Sequence, residues 1–195
     1  MNLTFRQFCD FPPNAAQILA ASELVFQSFD FYKDLPILHS ACLQMISEEF
    51  TMPDTECYNP LLAIAEHEVV GIVCYYPAAQ LEARQKSSML SVMRKLGRAE
   101  RKAFNTKRRS ANNSVEPASG GDGIYISRVA ISTNHRGTGI GTQLMRKLVD
   151  TNNKQRMKLH VDKDNAAAIL FYQNFGFRFR EPTLFTKRVM NYSLT

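Results

Sequence analysis

Residues 124–141 read IYISRVAISTNHRGTGIG, and their interpretation decides the fold. Ile124 to Ser132 is rich in β-branched residues and reads as a buried strand. Arg136-Gly137-Thr138-Gly139-Ile140-Gly141 then places three alternating glycines before a new period. From Thr138 to about Asn153 the apolar residues Ile140, Leu144, Met145 and Leu148 fall on one helical face. The stretch therefore predicts a strand, a glycine turn and a helix. A helix start carries unpaired N–H donors and the positive end of the helix dipole, and bare glycine backbone lets an anion approach them. Arg136 adds a formal positive charge. The residues alone leave two readings open, a tight strand-to-helix turn and a cradle for a phosphate or diphosphate. Spacing excludes two familiar phosphate loops. The third glycine comes one residue early for GxGxxG, and no lysine follows as a P-loop requires.

Downstream, Met157 to Val161 reads as a strand, Asn165 to Phe175 as a helix, and Phe177 to Arg180 and Thr183 to Tyr192 as closing strands. Upstream, Leu3, Phe5 and Phe8 mark a short opening strand stopped by Pro12-Pro13. Asn14 is placed to cap a helix running to about Phe29, with Ile18, Leu19, Val25, Phe26 and Phe29 on its apolar face. A second helix is expected from Asp34 to about Phe50, with Pro36 in its first turn. Leu61 to Ala65 and Val69 to Tyr76 read as strands joined by a tight turn near Glu66-His67-Glu68. Between Ala78 and about Asn105 the period is helical again. Leu81, Met89, Val92, Met93, Leu96, Ala103 and Phe104 form a stripe opposite an Arg/Lys face. Gly97 costs about 1 kcal/mol against Ala in a helix interior, so it marks a break between two helices. Residues 106–123 lack apolar periodicity and read as a mobile loop. The order of elements predicts one α/β domain over 1–195 with a mixed sheet.

The 195 residues suffice for one domain with a real core. Hydrophobic residues at 45% and charged residues at 22% exclude a disordered chain. The longest unbroken apolar run, Ala166 to Tyr172, is far short of the roughly 20 residues that cross a bilayer. With no secretory pattern at the N-terminus, a cytoplasmic location and no membrane association are expected. Cys9, Cys42, Cys57 and Cys74 form no CxxC, so reduced thiols and no metal are expected.

The net charge of +6 is uneven. Residues 1–77 carry a net −8, residues 78–113 a net +8 and residues 114–195 a net +6. The acidic part suits a cationic ligand and the C-terminal part a polyanion. For the basic 78–113 segment three readings stand: a solvated helix face, docking on the acidic half of a partner copy in a homodimer, or contact with a polyanion. Phe104 is its one aromatic residue, which argues against base stacking and so against a nucleic-acid partner.

Two segments together resemble the GNAT superfamily of N-acetyltransferases. Residues 124–141 resemble its motif A, a strand followed by Arg/Gln-x-x-Gly-x-Gly/Ala opening a helix. Asn165 to Phe177, NAAAILFYQNFGF, resembles the family's N-x-x-A-x-x-x-Y-x-x-x-G-F block. The likeness is sharp over about 124–177, topological over 1–77, and does not extend to 78–123. It implies a mixed, mostly antiparallel central sheet flanked by helices, with 78–123 as a helical insertion between the third and fourth strands.

It also implies acetyl-CoA as cosubstrate. The backbone N–H groups of Arg136, Gly137, Thr138, Gly139, Ile140, Gly141 and Thr142 would hold its diphosphate. Main-chain groups of Val129 and Ile131, around Ala130, would meet the pantetheine arm where this strand splays from the next. Asn165 is a helix cap that in the family also bonds the cofactor. Tyr172 falls two helical turns after Asn165 on the same face. The helix pattern makes it core, and the family block makes it the general acid that protonates the departing thiolate. The resemblance thus implies acetyl transfer to a primary amine, on a small molecule or a protein, by direct attack on the thioester, with the Val129 N–H polarising the carbonyl. Many relatives carry a Glu on the motif-A strand as base. Here Tyr125, Ser127 and Arg128 stand there, and Glu48, Glu49, Glu56 or a relay through His160 remain open. His160 by itself reads first as an ordinary strand histidine. The missing Glu keeps a second reading in play, a non-catalytic acyl-CoA-binding module whose basic insertion contacts nucleic acid or a partner protein.

Overall fold

The computed structural model describes residues 2–112, 115, 116, 118, 121–153, 155–180 and 185–192, with 107–112 described by backbone alone. Among these residues seven strands form one sheet in the order β1-β2-β3-β4-β5-β7-β6. The strands are β1 (Leu3–Gln7), β2 (Leu61–Ala65), β3 (Glu68–Pro77), β4 (Ile124–Ile131), β5 (Met157–Asp162), β6 (Arg178–Phe179) and β7 (Lys187–Tyr192). Every neighbouring pair is antiparallel except β4 with β5. The mixed, mostly antiparallel sheet is thus as expected, and the insertion lies between the third and fourth strands.

Helices cover both faces. On one face lie α1 (Ala15–Ser28), the single turn α2 (Asp30–Lys33), α3 (His39–Glu49), α4 (Leu81–Lys95) and α5 (Arg98–Asn112). Val25, Ile46, Phe50, Val92, Leu96 and Phe104 from these elements share one core with Leu62, Ile72, Cys74 and Ala130 of the sheet. On the other face α6 (Ile140–Thr151) buries Ile140, Leu144, Met145 and Leu148 against Leu61, Ala63, Val73 and Ile126, and α7 (Ala166–Phe175) packs beside it. Among the described residues no helix is long and apolar enough to cross a membrane. Cys9 is exposed and the other three cysteines are buried, all four as free thiols.

Local chemistry explains most boundaries. Asn14 caps α1 in a reciprocal capping box with Gln17. Glu66 and His67 both take positive φ, as a two-residue hairpin turn between right-twisted strands demands. α7 ends at Gly176 (φ 115°) in a Schellman arrangement, with the Phe177 N–H on the Tyr172 carbonyl at 2.8 Å and the Gly176 N–H on Gln173.

Three expectations need correction. The second long helix begins at His39, not Asp34. The chain from Asp30 forms one turn and then bends, and Leu38 is the N-cap, so Pro36 lies before the helix. The 106–123 stretch is not all loop, because α5 runs to Asn112. Helical N–H to C=O bonding extends there without an apolar stripe. Further on, Val115 bridges to Lys187, and the Glu116 N–H donates to the Lys187 carbonyl. Of the rest of the expected mobile loop, 113, 114, 117, 119 and 120 lie outside the described residues. Finally, Leu19 and Ala103, expected on apolar faces, are exposed. Gly97 does separate two helices.

The apolar stripe of the insertion is covered within the chain. Lys95 pairs with Glu48 of α3 at 3.0 Å, so this contact between basic and acidic segments is made in cis.

Candidate active site

The glycine turn takes the form its sequence requires. After β4, Thr133–His135 make one turn of 3-10 helix and Arg136 is extended. Gly137 (φ 77°) and Gly139 (φ 84°) both adopt left-handed backbone, and Gly139 is the N-cap of α6. A side chain at either would meet no heavy atom within 4 Å, so conformation and open space, not packing, favour glycine there. Gly141 is different: a Cβ there would lie in van der Waals contact with the Phe171 ring of α7 at 3.4 Å and with Ile131 at 3.5 Å. The first described bond into α6 runs from the Gln143 N–H to the Gly139 carbonyl at 3.1 Å. Ile140, Gly141 and Thr142 therefore present N–H groups ahead of any intrahelical acceptor. The Arg136 Nε donates to the Ile131 carbonyl at 3.3 Å, which turns its side chain back along β4.

The fork that opens beside this turn is visible in strand register. β4 pairs with β5 only from Ile124–Met157 to Ile126–Leu159. Beyond Ile126 the two strands part, while β4 stays paired with β3 up to Ile131–Gly71. The Ser132 N–H bonds the Val70 carbonyl at 2.9 Å. By the two-residue alternation of an antiparallel ladder, Ala130 and Arg128 also turn their main-chain groups to β3. Val129 and Ile131 consequently aim theirs away from β3 and into the fork. These are the two residues expected to offer backbone groups there, with buried Ala130 between them.

A bulge sets what faces the other side. Cys74 lies opposite Arg128 but Tyr75 lies opposite Ile126, so Ser127 is the extra residue. Its hydroxyl donates to the Glu56 and Cys74 carbonyls at 2.7 and 3.2 Å. The inserted residue reverses the side-chain alternation. Ile124, Ile126, Val129 and Ile131 face α6 and α7, whereas Tyr125 and Ala130 face the opposite layer, with Arg128 over Phe29 of α1's C-cap.

On that opposite face the titratable groups converge at the mouth of the fork. Tyr125 on β4 and His160 on β5 bridge it, with the Tyr125 hydroxyl 2.7 Å from His160 Nδ1. His160 Nε2 is 2.6 Å from the Glu116 carbonyl. A carbonyl only accepts, so Nε2 carries the hydrogen and Nδ1 is the acceptor for Tyr125. Burial lowers the His160 pKa, favouring the neutral ring, with the Glu116 carbonyl opposing that shift. Burial also pushes the Tyr125 phenol well up, with Glu56 adding to the effect. Glu116 is itself held, its carboxylate accepting from the Val189 N–H at 2.8 Å.

Next to this pair the Glu56 carboxylate accepts from the Tyr76 hydroxyl at 3.2 Å and from Arg128 at 3.3 Å. The Arg128 guanidinium stacks over the Phe29 ring at 3.9 Å. Glu49 at the end of α3 is fully buried. One oxygen accepts from Ser88 of α4 at 3.1 Å and the other has no partner among the described residues. Burial pushes its carboxyl up to about 7, against the pull of Arg128. Glu48, by contrast, is engaged with Lys95 at the surface.

In α7 the Asn165 side chain caps the helix, its oxygen accepting from the Ala168 N–H at 3.1 Å. Tyr172 is half-buried on the α6/α7 side of the sheet, its ring against Phe171 (5.3 Å) and Phe177 (5.6 Å). Burial holds its phenol well above its usual value, and like any phenol it is protonated at neutral pH. The turn and Val129/Ile131 thus flank one fork, Tyr172 and Tyr125 approach it from opposite faces, and Asn165 is engaged as a cap. The tie between Ser88 and the acids Glu49 and Glu56, and the Glu116 carbonyl on His160, carry no local signal in the sequence. Only a period-2 reading of β5, placing His160 with Lys158 on the face of the sheet that Tyr125 occupies, could have hinted at the second.

Comparisons with known proteins agree with this geometry. Residues 26–177 match the model of the acetyltransferase (GNAT) family. A 55-residue stretch is 40% identical to the uncharacterized N-acetyltransferase YobR of Bacillus subtilis (strain 168), covering 27% of this chain and 22% of that relative's length. An N-acetyltransferase from Staphylococcus aureus Mu50 superposes with a TM-score of 0.72 at 21% identity, over 96% of this chain and 99% of the other. The PaiA N-acetyltransferase of Thermoplasma acidophilum, solved in complex with coenzyme A, matches with a TM-score of 0.54 at 11% identity over the whole of both chains. At these identities the structural likeness is one of fold. The family match spans both sequence blocks and the sheet that splays between them: the chain belongs to the GNAT family of acetyltransferases.

Proposed function

We propose that the protein is an acetyl-CoA-dependent N-acetyltransferase acting on a primary amine by direct attack on the thioester. The observation that carries this reading is the fork. Val129 and Ile131 turn main-chain groups away from β3 into a gap that begins beyond Ile126, where the Ile131 carbonyl accepts from Arg136 at the turn, and the gap leads to the open N–H groups of α6. A linear acyl-thiol whose far end is a diphosphate fits that order of groups. Arg136 supplies charge at the turn. Asn165 caps α7 with one lone pair of its oxygen and keeps its amide N–H groups for the cofactor.

The chain's residues then divide the proton work. The amine must lose a proton before it attacks. The neutral His160 ring accepts a proton at Nδ1 from Tyr125, and Tyr125 takes one from the ammonium, leaving imidazolium held on the Glu116 carbonyl. The Val129 N–H donates to the carbonyl oxygen as negative charge develops. Tyr172, protonated at neutral pH, supplies the proton to the leaving thiolate.

Release of free thiol from acetyl-CoA across a panel of amines, amino acids and peptide N-termini tests the reading. Acceptor-dependent release supports it. Acetyl-CoA binding with no release from any acceptor would leave the binding-module reading instead.

A further inference from the structure

The helix α4 of the insertion belongs to neither family block, yet it reaches the acceptor face. We infer that Glu56 anchors the acceptor's ammonium group and that Ser88 of α4 is the positioning residue that holds it there. The enzyme is thereby selective for amines that arrive as cations. This inference rests on the acetyl-transfer reading above and names its substrate class.

Glu56 is pinned on every side. Its N–H donates to the Ser88 hydroxyl at 2.9 Å, and its carbonyl accepts from the Ser127 hydroxyl at 2.7 Å. The preceding Thr55 carbonyl accepts from Arg84 of α4 at 2.7 Å, with the Arg84 guanidinium lying over the Tyr76 ring at 5.1 Å. Each Glu56 oxygen has one described partner, Tyr76 on one and Arg128 on the other. A carboxylate accepts about four hydrogen bonds, so capacity remains for an ammonium. The side chain is 12% exposed, so a ligand can reach it, unlike Glu49.

The local charge is also unbalanced. Arg128 is shared between Glu56, through an ion pair, and Glu49, through space. The same Ser88 hydroxyl that receives the Glu56 N–H donates to Glu49, whose second oxygen is buried without a partner among the described residues. Two carboxyls facing one guanidinium accommodate a further cation when both are ionised. Tyr76, whose hydroxyl donates to Glu56, has its ring 5.4 Å from that of Tyr125, so an ammonium held by Glu56 lies beside the pair that deprotonates it.

The test compares a primary alkylamine, protonated near neutral pH, with a hydrazide, which is neutral there, as acceptors for the full chain. Glu56→Gln is expected to raise KM for the alkylamine about 10–100-fold while shifting the hydrazide about twofold or less. Ser88→Ala is expected to raise the alkylamine KM about fivefold with kcat within about twofold, and Ser88→Thr, which keeps the hydroxyl, to restore it. Acetyl-CoA affinity by calorimetry stays unchanged in all three. Equal shifts for the charged and neutral acceptors, or no KM change in Ser88→Ala, overturn the inference. If Glu56→Gln fails to fold, the Ala/Thr pair at Ser88 decides alone. Wild-type protein that releases thiol with neither of these nor with any member of the amine, amino-acid and peptide panel defeats the acetyl-transfer reading itself.

Discussion

Gly139→Ala separates the two readings of the glycine turn. Gly139 caps α6 at φ 84°, and a Cβ there meets no heavy atom within 4 Å, so the substitution creates strain without a clash. Holding a non-glycine residue in left-handed backbone costs about 1.5 kcal/mol. In a chain of this size that lowers Tm by about 3–6 °C. If the turn only joins β4 to α6, nothing more follows. If the N–H groups of Ile140, Gly141 and Thr142 hold a diphosphate, the relaxed turn also misaims them. Losing one hydrogen bond to a charged oxygen costs about 1.5–3 kcal/mol, or about 10–150-fold in acetyl-CoA Kd. Gly121→Ala is the control. Gly121 is also left-handed (φ 124°) with no neighbour within 4 Å, but it precedes β4 and lies outside the turn. Calorimetry with acetyl-CoA and thermal melts on both variants give the comparison. Equal Tm losses with an unchanged Kd in Gly139→Ala would refute the diphosphate cradle.

Tyr172→Phe is expected to lower kcat by about 100-fold or more, as loss of a general acid does, with acetyl-CoA affinity intact; wild-type turnover would remove Tyr172 from that role. His160→Gln keeps an acceptor for Tyr125 and a donor for the Glu116 carbonyl but has no basicity. Because burial depresses the His160 pKa below its ordinary 6.5, wild-type kcat/KM should fall as pH drops through that lowered value, and the variant should lose this limb along with most of its rate. An acid limb that survives in His160→Gln places the base elsewhere. Glu49 tests the buried cluster through stability. Its carboxyl is raised to about 7, so the associated stability is full below the ordinary carboxyl range and is lost as pH rises towards 7. Relative to Glu49→Gln, the wild type should lose about 2.5 kcal/mol between pH 5 and pH 8 in urea unfolding. Parallel pH profiles for the two proteins would show that Glu49 is not desolvated.

Where local chemistry is strong, the elements follow from the residues. Asn14, Asn165, Gly139 and Gly176 each mark a helix end because the backbone groups exposed there need that side chain or that φ. α6 is legible because one face carries Ile140, Leu144, Met145 and Leu148, all buried as expected. The start of α3 was misread because Pro36 suits a helix's first turn but suits the preceding bend equally well, and only packing chooses. The end of α5 was missed because an apolar stripe is a sign of tertiary burial, and the last turns of this helix continue on backbone bonding.

The sequence by itself determined the strand–turn–helix around Arg136 to Gly141, the placement of Asn165 and Tyr172 two turns apart on one helix, and the uneven charge. These depend on backbone rules that act within a few residues. The tertiary structure alone decided which groups meet. One extra residue at Ser127 reverses the facing of β4, so a strict two-residue alternation would have put Arg128 and Tyr125 on opposite sides of the sheet. That bulge, the parting of β4 from β5 beyond Ile126, and the reach of Ser88 across 32 positions to Glu56 are long-range pairings. They follow from how whole layers pack, which no local window of the chain encodes.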